Sequence, residues 1–539
     1  MQIEKASLPN LNKLIRDYKN HDTYIMNYFD YEPFSESFDS RLTDLQDRTF
    51  DRDELADVLV KANKQWNAPE STFSNIEKLR RNDSVAVVGG QQAGLLTGPL
   101  YSINKLISII QLAKAEEVRT GVPVVPIFWI AGEDHDFDEI NHVFMPVEGK
   151  MEKIKLAQKP DKKSVSKVAI NAEKSRDFLD AVFATLEETE WTKEWYRICM
   201  EILEQSDSYV DFFARLIFSI FEEEGVILLD SADPDIRRLE SRHFVKMIEK
   251  QQNIAASVVR SQSELASKGY HVPLEPAFTD GNLFIEHDGE RVLLQVDETG
   301  KWVGKQRETV LSTDELLEIA RTSPERLSNN VVTRPIMQEL LIPTLAFLGG
   351  NGEIAYWSAL KDAFHVLDLR MPPVLPRLSF TYIDKATMKR INRLSLEKDS
   401  IITMGTGKAR MNWLRSQISP PVDLMRDELK QTVANAHEPL KDYAQTIRPD
   451  IGRLAEKNIR KIEKEIDFLY KRIMLALEEQ HSAVLADFDD IELMLHPLGG
   501  LQERAWNPVS FLNLHGKDFF KRLAAEELSF QADHYFVYI

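Results

Sequence analysis

Val85, Ala86, Val87 and Val88 form an unbroken apolar run of the kind that marks a strand buried on both faces. Comparable runs occur at Val122–Ala131, Gly225–Asp230 and Ile342–Leu348. Helical spacing follows the first run, with Ile103, Leu106, Ile107, Ile110 and Leu112 returning on one face after Pro99, a residue suited to a first helical position. Ala172–Leu186, Trp191–Glu204 and Phe212–Phe221 also read as helices, and Asp233-Pro234 reads as a cap and first turn. Strands alternating with helices predict an α/β fold with a parallel sheet. Residues 1–82 predict a cap of short acidic helices, including Leu8–Phe29 and Arg52–Trp66.

Two stretches break this alternation. A polar, lysine-rich segment at 147–170 predicts an inserted hairpin. Short strand patterns at Phe284–Glu286, Val292–Val296 and Gly300–Gly304 predict a second insertion. Pro372–Phe380 reads as extended chain, and Tyr382–Ala386 opens a helix. Beyond residue 385 the pattern is helical: Ile459, Ile462, Ile466, Leu469 and Ile473 form an a/d seam after Pro449, with Leu424–Ala444 as an antiparallel partner. The expected organisation is a core over 1–385 with insertions at approximately 147–205 and 263–326. A helical domain at 386–490 and a tail at 491–539 packed back on the core complete it. An exposed seam predicts a homodimer through the coiled coil; the alternative is an intramolecular bundle.

Candidate chemistry collects where the apolar runs end. After the first run come Gly89, Gly90, Gly94 and Gly98, with Gln91, Gln92, Tyr101 and Lys105 among them. Glycines between a strand and a helix allow backbone N–H groups to face an anion. The second run ends in Gly132 followed by Glu133, Asp134, His135, Asp136, Asp138 and Glu139, with His142 close behind. Ligands of open α/β sheets bind outside the carboxyl ends of the strands, so these segments are expected to face one crevice. The acidic segment offers general acid–base chemistry, for which Asp134, His135 and Asp136 are the candidates. Its plainer reading is a solvated acidic loop. A hard metal fits less well, and zinc least, because HExxH and paired cysteines are missing; no metal ligand is assigned. The fourth run ends in Gly349-Gly350-Asn351-Gly352-Glu353, followed by Tyr356 on a helix expected to run on through Leu360 and Ala363. Arg377 is placed to grip a carboxylate or phosphate. An adenine could stack on Trp506, near a helix start formed by Asp384, Lys385 and Ala386; plain tail packing is the rival reading.

Composition narrows the class. The 539 residues exceed one hydrophobic core, and 43% apolar with 28% charged residues is ordinary for a globular protein. A net charge of −19 without a basic block argues against nucleic acid or an anionic membrane as partner. The lone Cys199 lies in an apolar run, which points to core and to a reducing compartment. With no secretory pattern and no eighteen-residue apolar stretch, a cytoplasmic protein is expected.

The blocks GQQAGLLTGPLYSINK, FWIAGEDHDFDEI, FLGGNGEIAYW and LQERAWNP, in this order along the whole chain, resemble the bacillithiol biosynthesis cysteine-adding enzyme family. The resemblance implies a Rossmann-like core similar to class I aminoacyl-tRNA synthetases, with connecting-peptide insertions and a dimerising coiled coil. It implies a ligase joining the carboxyl group of cysteine to the amine of glucosaminyl-malate, the last step of bacillithiol formation. Gly90, Gln91, Gln92, Gly94, Tyr101, Lys105, Glu133, Glu139, Gly349, Gly350, Glu353, Tyr356 and Arg377 are the expected substrate-binding set. Gly98-Pro99-Leu100-Tyr101 stands where a synthetase HIGH motif would fall and lacks both histidines. No KMSKS-like loop is present, Gly405-Thr406-Gly407-Lys408 being a poor substitute. ATP or ADP is therefore an open expectation, as is the form of the activated cysteine. A metal-dependent hydrolase or deacetylase-like enzyme using Glu133–Glu139, and a nucleotide-sensing scaffold, are the competing readings.

Overall fold

Five parallel strands make the central sheet: β1 (Val85–Gln91), β2 (Val124–Ile130), β3 (Ile227–Asp230), β4 (Thr344–Gly349) and β5 (Val374–Pro376), in the order β5-β4-β1-β2-β3. The computed structural model describes residues 1–8, 11–33, 38–160 and 163–539. Every residue of β2 and β3 is buried, which is why those runs carry no polar alternation. From β1 the chain winds first toward β2 and β3 and later, from the other side, into β4 and β5. The switch in winding falls between β1 and β4, where a ligand crevice belongs in such a sheet. β5 is the strand hidden in the proline-rich stretch 372–380.

Helix α1 (Tyr101–Thr120) covers the sheet and ends at Gly121, whose φ of 71° closes the helix in the left-handed region. It does not follow the glycines directly. A tight turn, Leu95–Thr97, intervenes, with Leu96 and Thr97 at φ of 50° and 70°. Such backbone is uncommon without glycine and needs support from outside the loop.

Antiparallel strands occupy parts of both stretches expected as insertions. The hairpin is His142–Val147 paired with Lys150–Lys155, and the part of the expected hairpin at 161–162 lies outside the described residues. The second insertion is a five-stranded antiparallel sheet containing Asp280–His287, Glu290–Val296 and Leu327–Asn329. The expected Leu8–Phe29 helix is two short helices, Lys13–Lys19 and Thr23–Met26, and its positions 9 and 10 lie outside the described residues. The helix expected from Ala355 through Ala363 is likewise broken, into Asn351–Trp357 and Lys361–His365. Gln2–Ala6 forms a strand antiparallel to His534–Tyr538, a pairing of chain ends that local pattern did not predict.

The chain divides into two units, residues 1–381 with 502–538, and residues 382–501 with 539. The second is built on two antiparallel helices, Val422–Ile447 and Pro449–Gln480. Its seam splits: Ile459, Ile462 and Ile466 are half-buried, whereas Leu469 and Ile473 are 57% and 36% exposed. Among the described residues no helix is long and apolar enough to cross a membrane.

Gly90 marks where packing tolerates no side chain. A Cβ there would lie 2.4 Å from the Trp129 carbonyl oxygen and 2.9 Å from its Cβ, both on neighbouring strand β2. Gly352 has nothing within 4 Å of the same construction. Gly90→Ala should therefore cost about 1–3 kcal/mol by prising β1 from β2. Gly352→Ala, inside a helix, should be neutral or stabilising by up to about 1 kcal/mol. Thermal unfolding of the two variants checks the contrast.

Candidate active site

At the carboxyl edge of the sheet, loops from β1 and β2 are tied by one side chain. The Gln92 amide donates to Asp134 Oδ2 at 2.8 Å and to Glu139 Oε2 at 2.7 Å, bringing the glycine loop and the acidic loop to one crevice. Asp134 Oδ1 accepts the His135 backbone N–H at 2.8 Å. Burial works to raise the Asp134 pKa, but the Gln92 bond, the Arg291 charge and backbone N–H groups outweigh it and hold the carboxyl below its usual range. Asp134 is thus an ionised carboxylate at neutral pH. His135 stands half-buried beside it, with Nδ1 3.7 Å from Asp134 Oδ1. Asp136 is exposed and caps Phe137–Ile140 by accepting the Asp138 N–H.

The second insertion delivers a residue that sequence reading missed. Arg291 lays its guanidinium 3.7 Å over the Phe284 ring, donates to the Ser328 hydroxyl and the Asn329 carbonyl, and reaches within 3.8 Å of Asp134 and 3.5 Å of His135 Nδ1. Its partners come from two other strands of the inserted sheet, so no local pattern announces it.

Several expected substrate-binding residues are occupied within the fold. Lys105, buried, donates to the Gly90 carbonyl at 2.7 Å, the Gln91 side chain at 3.2 Å and the Glu353 carboxylate, which accounts for its three protons. Burial lowers its pKa despite Glu353. The same Glu353 oxygen accepts the Gly350 N–H at 2.8 Å, so a protein carboxylate already sits on that short helix start. Gly349 accepts from the Arg377 N–H at 2.9 Å. The Arg377 fork grips Glu503, at 2.7 Å and 2.6 Å, so the carboxylate it holds is the protein's own. Glu133 is buried against Arg237, which also pairs with Glu240. Burial raises the Glu240 pKa to about 7 and likewise raises that of Asp230, at the end of β3, to about 7. Tyr356 accepts from Arg334 at 2.9 Å. Tyr101, Gly94, Gln92, Glu139 and His142 line one cleft.

Two of the residues expected at a nucleotide have partners within the protein. Asp384 accepts the Thr387 N–H at 2.6 Å, capping its own helix where an anion was expected, with Lys385 and Ala386 exposed behind it. Trp506 is buried with its ring 5.6 Å from Phe511, and its carbonyl accepts the Leu100 N–H. Trp506 belongs to the first unit and Asp384–Ala386 to the second. Cys199 is buried, and burial pushes its thiol up to about 12, which suits core rather than nucleophile. Among the described residues no group of three or more His, Cys, Asp or Glu is arranged to hold a metal ion.

Comparison with known proteins decides the family. Residues 1–378 match the family model described as bacillithiol biosynthesis BshC, N-terminal Rossmann-like domain, and residues 380–539 match its C-terminal coiled-coil domain. The chain belongs to the BshC family. Relatives from Oceanobacillus iheyensis and Bacillus cytotoxicus are 43% and 41% identical over all of both chains, and one from Bacillus licheniformis is 42% identical over 99% of each. All three are named "Putative cysteine ligase BshC". As a BshC, this chain is a bond-forming enzyme with a Rossmann-like core and a coiled-coil domain.

Glu503 gives this family member an acid-sensitive site. Although burial alone would raise its pKa, the Arg377 fork lowers it to about 2, below the ordinary carboxyl value near 4.5. A depressed carboxyl contributes stability above its unfolded value and loses it as pH falls from about 4.5 toward 2. Glu503→Gln should cost about 3–5 kcal/mol at pH 7 by stranding a buried guanidinium. It should also flatten the acid limb in that window, measured by denaturant melts across pH.

Proposed function

We propose that this enzyme forms the amide between the carboxyl group of cysteine and the amine of glucosaminyl-malate, the last step of bacillithiol biosynthesis, in the cytoplasm. The relatives' name and the bacillithiol family models support the substrate assignment. The Gln92 tie to Asp134 and Glu139 is the observation that carries the chemistry, because it places an oriented carboxylate and an imidazole at the sheet edge. In this reading an ammonium enters the crevice and loses a proton to His135, whose backbone N–H the ionised Asp134 holds. The freed amine lone pair forms a C–N bond to the acyl carbon of an acyl-activated cysteine. The bond from that carbon to the leaving group breaks, the leaving group departs with the electron pair, and the second proton on nitrogen passes to water or to the departing group, which leaves the neutral amide.

His135→Ala and Asp134→Asn should each lower ligation about 10²- to 10⁴-fold while the protein stays folded, and Asp136→Ala should have little effect. Purified chain incubated with glucosaminyl-malate, cysteine and ATP, with pyrophosphate, phosphate and thiol product followed separately, checks the rates. It also identifies whether an acyl-adenylate or an acyl phosphate is the donor. Unchanged product formation in both His135→Ala and Asp134→Asn would remove the base assignment.

We also propose self-association through the helical hairpin. Leu454, Phe468 and Leu469 are 60%, 61% and 57% exposed there, leaving an apolar strip that the intramolecular pairing does not cover. Light scattering should report a dimer for the natural chain and a monomer for Leu469→Glu with Ile473→Glu; a natural chain that is monomeric sinks this reading.

A further inference from the structure

Four cationic side chains near the carboxyl edge face a protein carboxylate: Lys105 faces Glu353, Arg237 faces Glu133, Arg377 faces Glu503 and Arg291 faces Asp134. Arg334 differs. Among the described residues no carboxylate oxygen lies within 4.0 Å of its guanidinium, and its side chain meets the Tyr356 hydroxyl at 2.9 Å. A guanidinium carries five N–H donors in a fixed fork, so most of this fork is unfilled. The Arg334 side chain is half-buried.

Its position is built rather than incidental. Arg334 lies in the first turn of Thr333–Leu341. Asn330 Oδ1 accepts the Val332 and Thr333 N–H groups at 2.8 and 3.1 Å, and the Thr333 hydroxyl donates to the Asn282 carbonyl at 2.6 Å. Tyr356 approaches from the helix that follows Gly349-Gly350 and also carries Glu353. Five residues before Arg334, Asn329 buries an amide whose Nδ2 and Oδ1 both lack a hydrogen-bond partner, and its backbone N–H lies 3.4 Å from Glu133. A buried amide with unfilled hydrogen-bonding capacity and, five residues on, a largely unfilled guanidinium are groups that a polar anionic ligand would complete.

We infer that Arg334 is the substrate-binding residue that receives a carboxylate of the malate moiety, with Tyr356 as the positioning residue that aims its fork. The carboxylate-gripping role expected of Arg377 passes to a half-buried cation with no carboxylate oxygen within 4.0 Å among the described residues. This rests on the proposed substrate and names the residue that selects its charged end.

Titration calorimetry of the full chain with L-malate, and with its uncharged diamide as control, tests the assignment. The natural chain should bind L-malate and ignore the diamide. Arg334→Gln should bind L-malate at least about tenfold more weakly, Arg334→Lys should fall between, and Tyr356→Phe should lose about three- to tenfold. Exposed Arg321→Gln, on an insertion helix, should bind as the natural chain does. If Arg334→Gln fails to fold, Arg334→Lys and Tyr356→Phe decide, and full affinity in both overturns the inference. It is equally overturned if Arg334→Gln keeps full affinity, or if the natural chain binds no L-malate. Ligation of glucosaminyl-malate by the natural chain is scored separately, so the proposed reaction can stand while this assignment falls.

Discussion

The glycine loop keeps its shape because the C-terminal tail holds it. Leu96 and Thr97 lie in left-handed backbone that neither residue favours, and the Asn507 side-chain amide donates to the Leu96 and Gly98 carbonyls on either side, at 3.1 and 2.8 Å. Three residues earlier than Ala505's neighbour Trp506, Glu503 joins Asn104 of the covering helix to Arg377 beyond β5. The strain in the loop is thus offset by bonds from residues some four hundred positions away in sequence. Without that support the tie from Gln92 to the acidic loop would have no fixed origin.

Electrostatics in the crevice follow a rule of local neutrality. Lys105, Arg237 and Arg377 each lie against a buried or half-buried acid, which keeps isolated charge out of the low-dielectric interior. Such pairs fix geometry more than they add net stability. Asp134 is half-buried and held ionised by the Gln92 amide, the Arg291 charge and backbone N–H groups together, an anion at the crevice edge that can attract an ammonium. Asp230 and Glu240, buried with weaker compensation, lie at the other extreme, with their proton affinity raised.

Much of this architecture was legible in sequence. Four of the five core strands stood out as apolar runs, because strands buried on both faces need no polar alternation. The two glycine loops and the acidic segment were visible as strand-end punctuation, and their convergence followed from the rule for parallel sheets. What stayed hidden depends on distant partners. Lys105 and Arg377 look like free cations until Glu353 and Glu503 are seen beside them. Arg291 and Arg334 sit in unremarkable sequence and matter only because an inserted sheet and a following helix start bring them inward. The a/d repeat was read as one continuous seam, yet periodicity cannot say how many of its positions the neighbouring helix in the same chain will cover.

The pairing of Gln2–Ala6 with His534–Tyr538 carries a consequence for how the enzyme is made. The first strand leaves the ribosome with its partner still unsynthesised, and the whole of 382–501 must be translated before that partner appears. At about 5–20 residues per second this delay is on the order of ten seconds for the inserted unit alone. During it, the strand Gln2–Ala6 has an unpaired edge and the glycine loop lacks its Asn507 brace.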